Sequence, residues 1–288
     1  MKKIFPLVAG FICLSAATLT AAPAKKRTVK KPAVSKSNAP QPNTARGTVR
    51  NAQGKPVSDV TVDIWGTATA NAGIVNFDPT TNAAGRYTQT DITPGSYSVL
   101  AWKQVSYNGQ TYRVPMSPVQ GKIEDQYLSR KGIARDFVWK ISGPIPSRFF
   151  DATKPESYYG GALTIFGRDE NLLNPLDLPA GSILQGRLVP NGPLMDGSVG
   201  RVITFEAPYK AGELYQFVQQ DIPVGRYTLS LSALLPDGES KVIRLYDGSG
   251  HDDSDFGSTT TVEFFPRGAS VRPYQGHFVN GAGAYVRL

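Results

Sequence analysis

Three runs of alternating side chains set the pattern of this chain. Val60, Val62 and Ile64 alternate with Thr61, Asp63 and Trp65. Tyr97, Val99 and Ala101 alternate with Ser98, Leu100 and Trp102, and Tyr227, Leu229, Leu231 and Ala233 with Thr228, Ser230 and Ser232. A period of two places one set of side chains on a core and the other outward, so each run predicts a β-strand. From Gly47 onward such runs recur at short intervals between turn signals, which predicts an all-β sandwich architecture. Asn108-Gly109 predicts a two-residue hairpin turn, because both central residues of a type I′ turn need positive φ. The 29 glycines and 22 prolines favour short strands and turns over long helices.

The N-terminus reads differently. Met1-Lys2-Lys3 is followed by an apolar run from Ile4 to Leu19 and by small residues at Ala22-Pro23-Ala24, which predicts a cleavable signal peptide over residues 1–24. Pro6, Ser15, Thr18 and Thr20 make the run a poor membrane span, which needs about 20 strongly apolar residues. Residues 25–45 carry six positive charges in their first twelve positions and then proline, serine and asparagine. They predict a disordered basic linker that can adhere weakly to an anionic surface, at about 1 kcal/mol per basic residue near a membrane. The expected location is secreted or periplasmic.

Part of the strand pattern recurs. Tyr87-Thr-Gln-Thr-Asp91-Ile92-Thr-Pro94-Gly95-Ser-Tyr97 lines up with Phe217-Val-Gln-Gln-Asp221-Ile222-Pro223-Val-Gly225-Arg-Tyr227, 130 residues further on (217 against 87). Upstream, Gly47-Thr-Val49 matches Gly186-Arg-Leu188; downstream, Asp136-Phe137 matches Glu263-Phe264. An internal duplication accounts for this, and two copies make a pair of domains.

The first copy runs from Gly47-Thr-Val-Arg-Asn-Ala-Gln-Gly54-Lys-Pro56-Val-Ser-Asp-Val60-Thr-Val62 through Gly85-Arg-Tyr87 and Pro94-Gly95-Ser-Tyr97 to Asp136-Phe137. It resembles the carboxypeptidase regulatory-like domain family, a transthyretin-like (prealbumin-like) sandwich of about seven strands. The resemblance covers about 46–142; a weaker second copy spans about 180–266, without the Gly-Lys-Pro turn and with Val224 where the first copy has a proline. It implies two tandem transthyretin-like (immunoglobulin-like) β-sandwich domains, the first over 46–175 with a C-terminal extension and the second over 176–288. It brings no catalytic residues. Members occur beside enzymes or as tandem modules in exported bacterial proteins, and the likeness to starch-binding sandwiches suggests carbohydrate by analogy of fold alone.

Composition then removes several classes of function. The net charge is +8, but residues 1–45 hold eight of the 31 basic side chains and no acid, leaving 23 basic groups against all 23 acids. A neutral folded part without a basic cluster argues against nucleic acid. The sole cysteine, Cys13, lies in the predicted leader, behind Gly10-Phe11-Ile12 rather than a lipobox. A mature chain without thiols has no disulfide, cysteine-ligated metal or cysteine nucleophile. His251 and His277 both lie in glycine-rich sequence, and no Gly-x-Ser-x-Gly elbow, His-Glu-x-x-His, P-loop or dinucleotide fingerprint is present. The segment Asp247-Gly-Ser-Gly-His251-Asp252-Asp253-Ser254-Asp255 has oxygens enough for calcium but lacks EF-hand order. No catalytic residue, metal site or cofactor is expected.

The remaining signal is a difference between the copies. Thr228, Ser230 and Ser232 make a polar outer face, whereas the matching positions are Ser98, Leu100 and Trp102, with Trp65 also out of phase with its core. Trp65 and Trp102 are therefore the candidate ligand-binding residues, with cover by the chain's own segment 143–175 as the competing explanation. Trp139, in phase with Phe137, reads as core. The expected role is an exported, non-enzymatic binding or structural module of the bacterial envelope or extracellular space, engaging a protein partner. A carbohydrate-binding module and an accessory domain protein of an exported hydrolase system are the alternatives.

Overall fold

The alternation materialises as strands. A computed structural model describes residues 40–70, 72–167, 176–213, 215–246, 256–266, 279 and 281–288. In β2 (Val60–Ala68) and β5 (Gly95–Tyr107) the residues Val60, Val62, Ile64, Tyr97, Val99 and Ala101 are fully buried while their neighbours are partly exposed. Strand β2 pairs antiparallel along its whole length with β5 from Gly95 to Lys103; the two carry β3 (Ile74–Phe77) on one side and β6 (Gln110–Pro115) on the other, with β8 (Gln126–Leu128) on the opposite end of β5. The facing layer consists of β4 (Arg86–Gln89), β1 (Ala45–Asn51), β10 (Phe137–Trp139) and β7 (Ser117–Pro118), with β9 (Ile133–Ala134) beside β1. Val49 and Phe137 meet Val62, Ile64 and Tyr97 in the core between the layers. Asn108 and Gly109 have φ of 49° and 76° and join Tyr107 to its partner Gln110, the hairpin turn that their sequence predicts.

The second half is one eight-stranded sheet that closes over itself. Its order is β13 (Ile203–Pro208), β12 (Ile183–Pro190), β15 (Gly225–Leu234), β16 (Ser240–Tyr246), β18 (Gly281–Arg287), β11 (Gly161–Phe166) and β14 (Tyr215–Ile222), with β17 (Thr259–Phe264) also on β15. Strand β16 pairs with β15 up to Ile243 and with β18 from Arg244, so it carries the sheet from one layer into the other. Leu184, Leu229 and Leu231 from one side and Leu163, Ile165 and Val286 from the other share a core.

The two halves follow one plan. Strand β1 lies between β4, antiparallel, and β10, parallel; β11 lies between β14, antiparallel, and β18, parallel. Strand β2 faces β3 and β5, as β12 faces β13 and β15. The sequence match around the two tyrosines is thus a structural repeat, but the flanking matches are not. Gly47 lies in β1 and Gly186 in β12, the counterpart of β2; Phe137 lies in β10 and Phe264 in β17, the counterpart of β8. The expected division at 175/176 also fails against strand pairing. It leaves β11 with the first half, although β11 is hydrogen-bonded on both sides within the second. The chain passes between the sandwiches in residues 140–160 instead.

The sandwiches form one compact unit. Beyond Ala101 the β5–β6 hairpin leaves the first core, and its Tyr112 and Val114 are buried in the second, with the Tyr112 ring 6.0 Å from that of Phe265. Trp139 packs against both cores at once, so it is a junction residue more than an interior one.

Candidate binding faces

Each sandwich presents the outer face of the sheet that holds its tyrosine strand. In both copies the approach to that strand is fixed the same way. Asp91 and Asp221 take left-handed backbone angles, φ of 57° and 58°, which aspartate tolerates better than most residues. Ile92 and Ile222 are buried next to them. Tyr97 Oη then donates to the Thr93 carbonyl and Tyr227 Oη to the Pro223 carbonyl, each at 2.8 Å. Such a corner bond from tyrosine to backbone pins the start of the strand and hence the outward positions that follow.

On the first sandwich Trp65 and Trp102 do point outward, and both are partly buried. They do not form a common platform. Trp65 lies between Asn76 and Ser98, Trp102 between Thr61 and Pro115, and the pair Asp63–Leu100 occupies the rank between them. Four residues along β2 separate the two ranks, about 13 Å at ~3.3 Å per residue. The Arg113 guanidinium lies 4.4 Å from the centroid of the Trp102 ring and occupies one of its faces. The described part of segment 143–175 is engaged elsewhere. Arg148 reaches Asp125 at 2.9 Å and Glu124 through its backbone N–H, Ser147 bonds Glu124, and β11 belongs to the second sandwich.

On the second sandwich the ranks correspond one to one. Ser232 stands for Trp102, Ser230 for Leu100 and Val189 for Trp65, since each holds the same register against its neighbour strand. The smaller side chains leave a cleft of about 790 Å³. Its walls carry Gln185, Arg187, Thr204 and Glu206, and Gln185 donates to Glu206 at 2.8 Å. These four were not singled out from sequence, because outward polar residues on a strand look like ordinary solvated surface. The serine-for-tryptophan difference between the copies was the signal that could have found them.

Asp221 has a second role that the repeat conceals. Both its carboxylate oxygens accept from the Gly143 N–H (2.6 and 2.9 Å), and Oδ1 also accepts from the Gly160 N–H at 3.2 Å. It therefore clamps both ends of the connecting segment to the second sandwich. Burial pushes its carboxyl above the usual carboxylate range, against the opposing pull of those two N–H groups and of Lys140.

His251, His277 and the Asp247–Asp255 loop lie outside the described residues. Among the described residues no cluster of histidine, cysteine or carboxylate side chains is arranged to hold a metal ion, and no helix is long and apolar enough to cross a membrane. No protein-family model matches the chain, and no curated protein matches its sequence. Its structure is similar to the Bacillus anthracis TIE protein, at 9% identity and a TM-score of 0.30 over 86% of this chain; the chain spans about half, 51%, of that protein. It is also similar to GBS52, the minor pilin of Streptococcus agalactiae (12% identity, TM-score 0.27, 84% of this chain and 94% of that one). A DUF3823 family protein from Bacteroides uniformis is similar at 11% identity and a TM-score of 0.21, over 77% of this chain and 99% of that one. None of these transfers a residue role.

Proposed function

We propose that the protein is an exported, non-enzymatic binding or structural module of the bacterial envelope or extracellular space. In this reading its first sandwich is of the carboxypeptidase regulatory-like kind and engages a protein partner through the face that carries Trp65 and Trp102. One observation supports a protein over a sugar there: the Arg113 guanidinium already lies on the Trp102 ring, 4.4 Å from its centroid. A sugar would stack on a bare ring, whereas a paired arginine and tryptophan are the residue types that dominate protein interfaces. The wide spacing of the two tryptophans, with Leu100 between them, also suits a broad contact better than one sugar ring.

A photo-crosslinking amino acid placed at position 104, next to Arg113 on the same outer face, tests this in the exported chain in its own cells. A discrete protein adduct that disappears in Trp102→Ala is the expected result. Adducts to polysaccharide, or none, would remove the protein-partner reading.

A further inference from the structure

The cleft on the second sandwich has an origin in the duplication. In both copies the tyrosine strand changes partner part-way along one edge. Strand β5 pairs with β8 up to Ser98 and with β6 from Trp102, and β15 pairs with β17 up to Ser230 and with β16 from Leu231. The outward residues at that fork are Leu100 and Trp102 in one copy and Ser230 and Ser232 in the other. Large side chains stand at the fork of the first sandwich. Serines leave the fork of the second open, and its volume of about 790 Å³ falls in the range of ~300–1,000 Å³ usual for ligand sites.

The lining decides what kind of molecule fits. The floor is the sheet itself, at the rank Phe205–Gly186–Leu231, whose side chains turn away from the cleft into the core; there a Cβ on Gly186 would fall 1.8 Å from the Phe205 ring, so this part of the sheet is tightly packed from behind. The walls are polar and balanced. Arg187 on β12 and Glu206 on β13 bring one charge of each sign, and Gln185, Thr204, Ser230 and Thr259 add an amide and hydroxyls. With the charges balanced, neither a polyanion nor a polycation gains a net attraction. A peptide cannot add as a strand to β15, because both of its edges are already paired at the fork. Side chains must do the recognition. Each hydroxyl donates one hydrogen bond and accepts two. A guanidinium, a carboxylate and a primary amide can each engage two adjacent groups at once. That set matches vicinal hydroxyls, which donate and accept side by side.

We propose that this cleft binds a neutral oligosaccharide, at a site separate from the Trp65–Trp102 face and independent of the reading given for it. The test is calorimetric titration of the mature chain with linear hexasaccharides of glucose, N-acetylglucosamine and xylose. One of the three is expected to bind. Ser232→Trp, which installs the residue the first copy carries at this rank, should weaken that binding by about tenfold or more, which is ~1.4 kcal/mol. Arg187→Ala, at an exposed position where folding is not in question, should do the same, and Trp102→Ala should leave the affinity unchanged. Absence of saturation by all three sugars overturns the proposal, as does full binding by Ser232→Trp and Arg187→Ala. So does loss of binding in Trp102→Ala, which would move the sugar to the other face.

Discussion

Tyr97 and Tyr227 show how one residue can carry a repeat. Each is buried to its ring and spends its hydroxyl on a carbonyl four positions back, so a single side chain fixes both the core and the turn. Their upstream aspartates have diverged. Asp91 is exposed and accepts from the Thr90 hydroxyl next to it, whereas Asp221 is half-buried and holds the connecting segment through Gly143 and Gly160. The raised carboxyl of Asp221 gives this clamp a pH dependence with a definite sign. A carboxyl raised in the folded state contributes stability below its ordinary range and loses that contribution as pH rises through the raised value. Asp221→Asn keeps Oδ1, which accepts from both glycines, suits the left-handed backbone, and never ionises. Thermal melts between about pH 3 and 8 should show the variant gaining on the wild type as pH rises, with the gap closing in acid. A gap that widens in acid would mean that the hydrogen bonds to the charged form outweigh burial.

At the scale of elements, period-two alternation was enough to find β2, β5 and β15, and Asn108-Gly109 was enough for the hairpin between β5 and β6. The sequence match at 130 residues was real because it covered a turn and a strand whose spacing the corner bond holds fixed. It failed on either side because connection lengths are free to change. Strand β11 sits against β14 as β1 sits against β4, yet Gly47 and Ile165, the partners of Tyr87 and Phe217, are 118 residues apart (165 against 47). A sequence match that shifts its offset to 139 residues (186 against 47) pairs Gly47 with Gly186 and passes over β11. The two glycines have unrelated duties. A Cβ on Gly47 would meet the Arg135 carbonyl at 1.9 Å, and one on Gly186 would meet the Phe205 ring. The candidate cleft was half legible: the serines stood out against Leu100 and Trp102, but the walls come from strands that only register brings together. Gly186→Ala should cost about 1–3 kcal/mol by overpacking, read from urea unfolding, and Gly186→Ala with Phe205→Leu should recover part of that loss. No loss in the single variant, or no recovery in the double, would break the claimed contact between this glycine and the ring.

For the whole molecule, the decisive question is where one folding unit ends and the next begins. Turn signals between residues 140 and 180, among them Gly143-Pro144 and Asn174-Pro175, mark more than one break and do not choose between them, so the run Gly161-Ala-Leu-Thr-Ile-Phe166 can be read with either half. Hydrogen bonding gives it to the second: removing β11 would leave β14 and β18 each without the strand that joins them and would take Leu163 and Ile165 out of the larger core. A sheet that loses an interior strand exposes two rows of backbone groups as well as its apolar face. Fragment 176–288 should therefore show no cooperative unfolding transition, by near-ultraviolet circular dichroism or calorimetry. Fragment 143–288, which restores β11, should show one. It should still melt below the full chain, because Tyr112 and Val114 of the β5–β6 hairpin no longer close its core. Adding the complementary fragment 40–142 should raise that transition again if the hairpin docks as it does in the intact protein. Cooperative unfolding of 176–288 by itself would return the boundary to residue 175 and make β11 dispensable. A transition in 143–288 equal to that of the full chain would instead make the hairpin contact incidental and the two sandwiches independent.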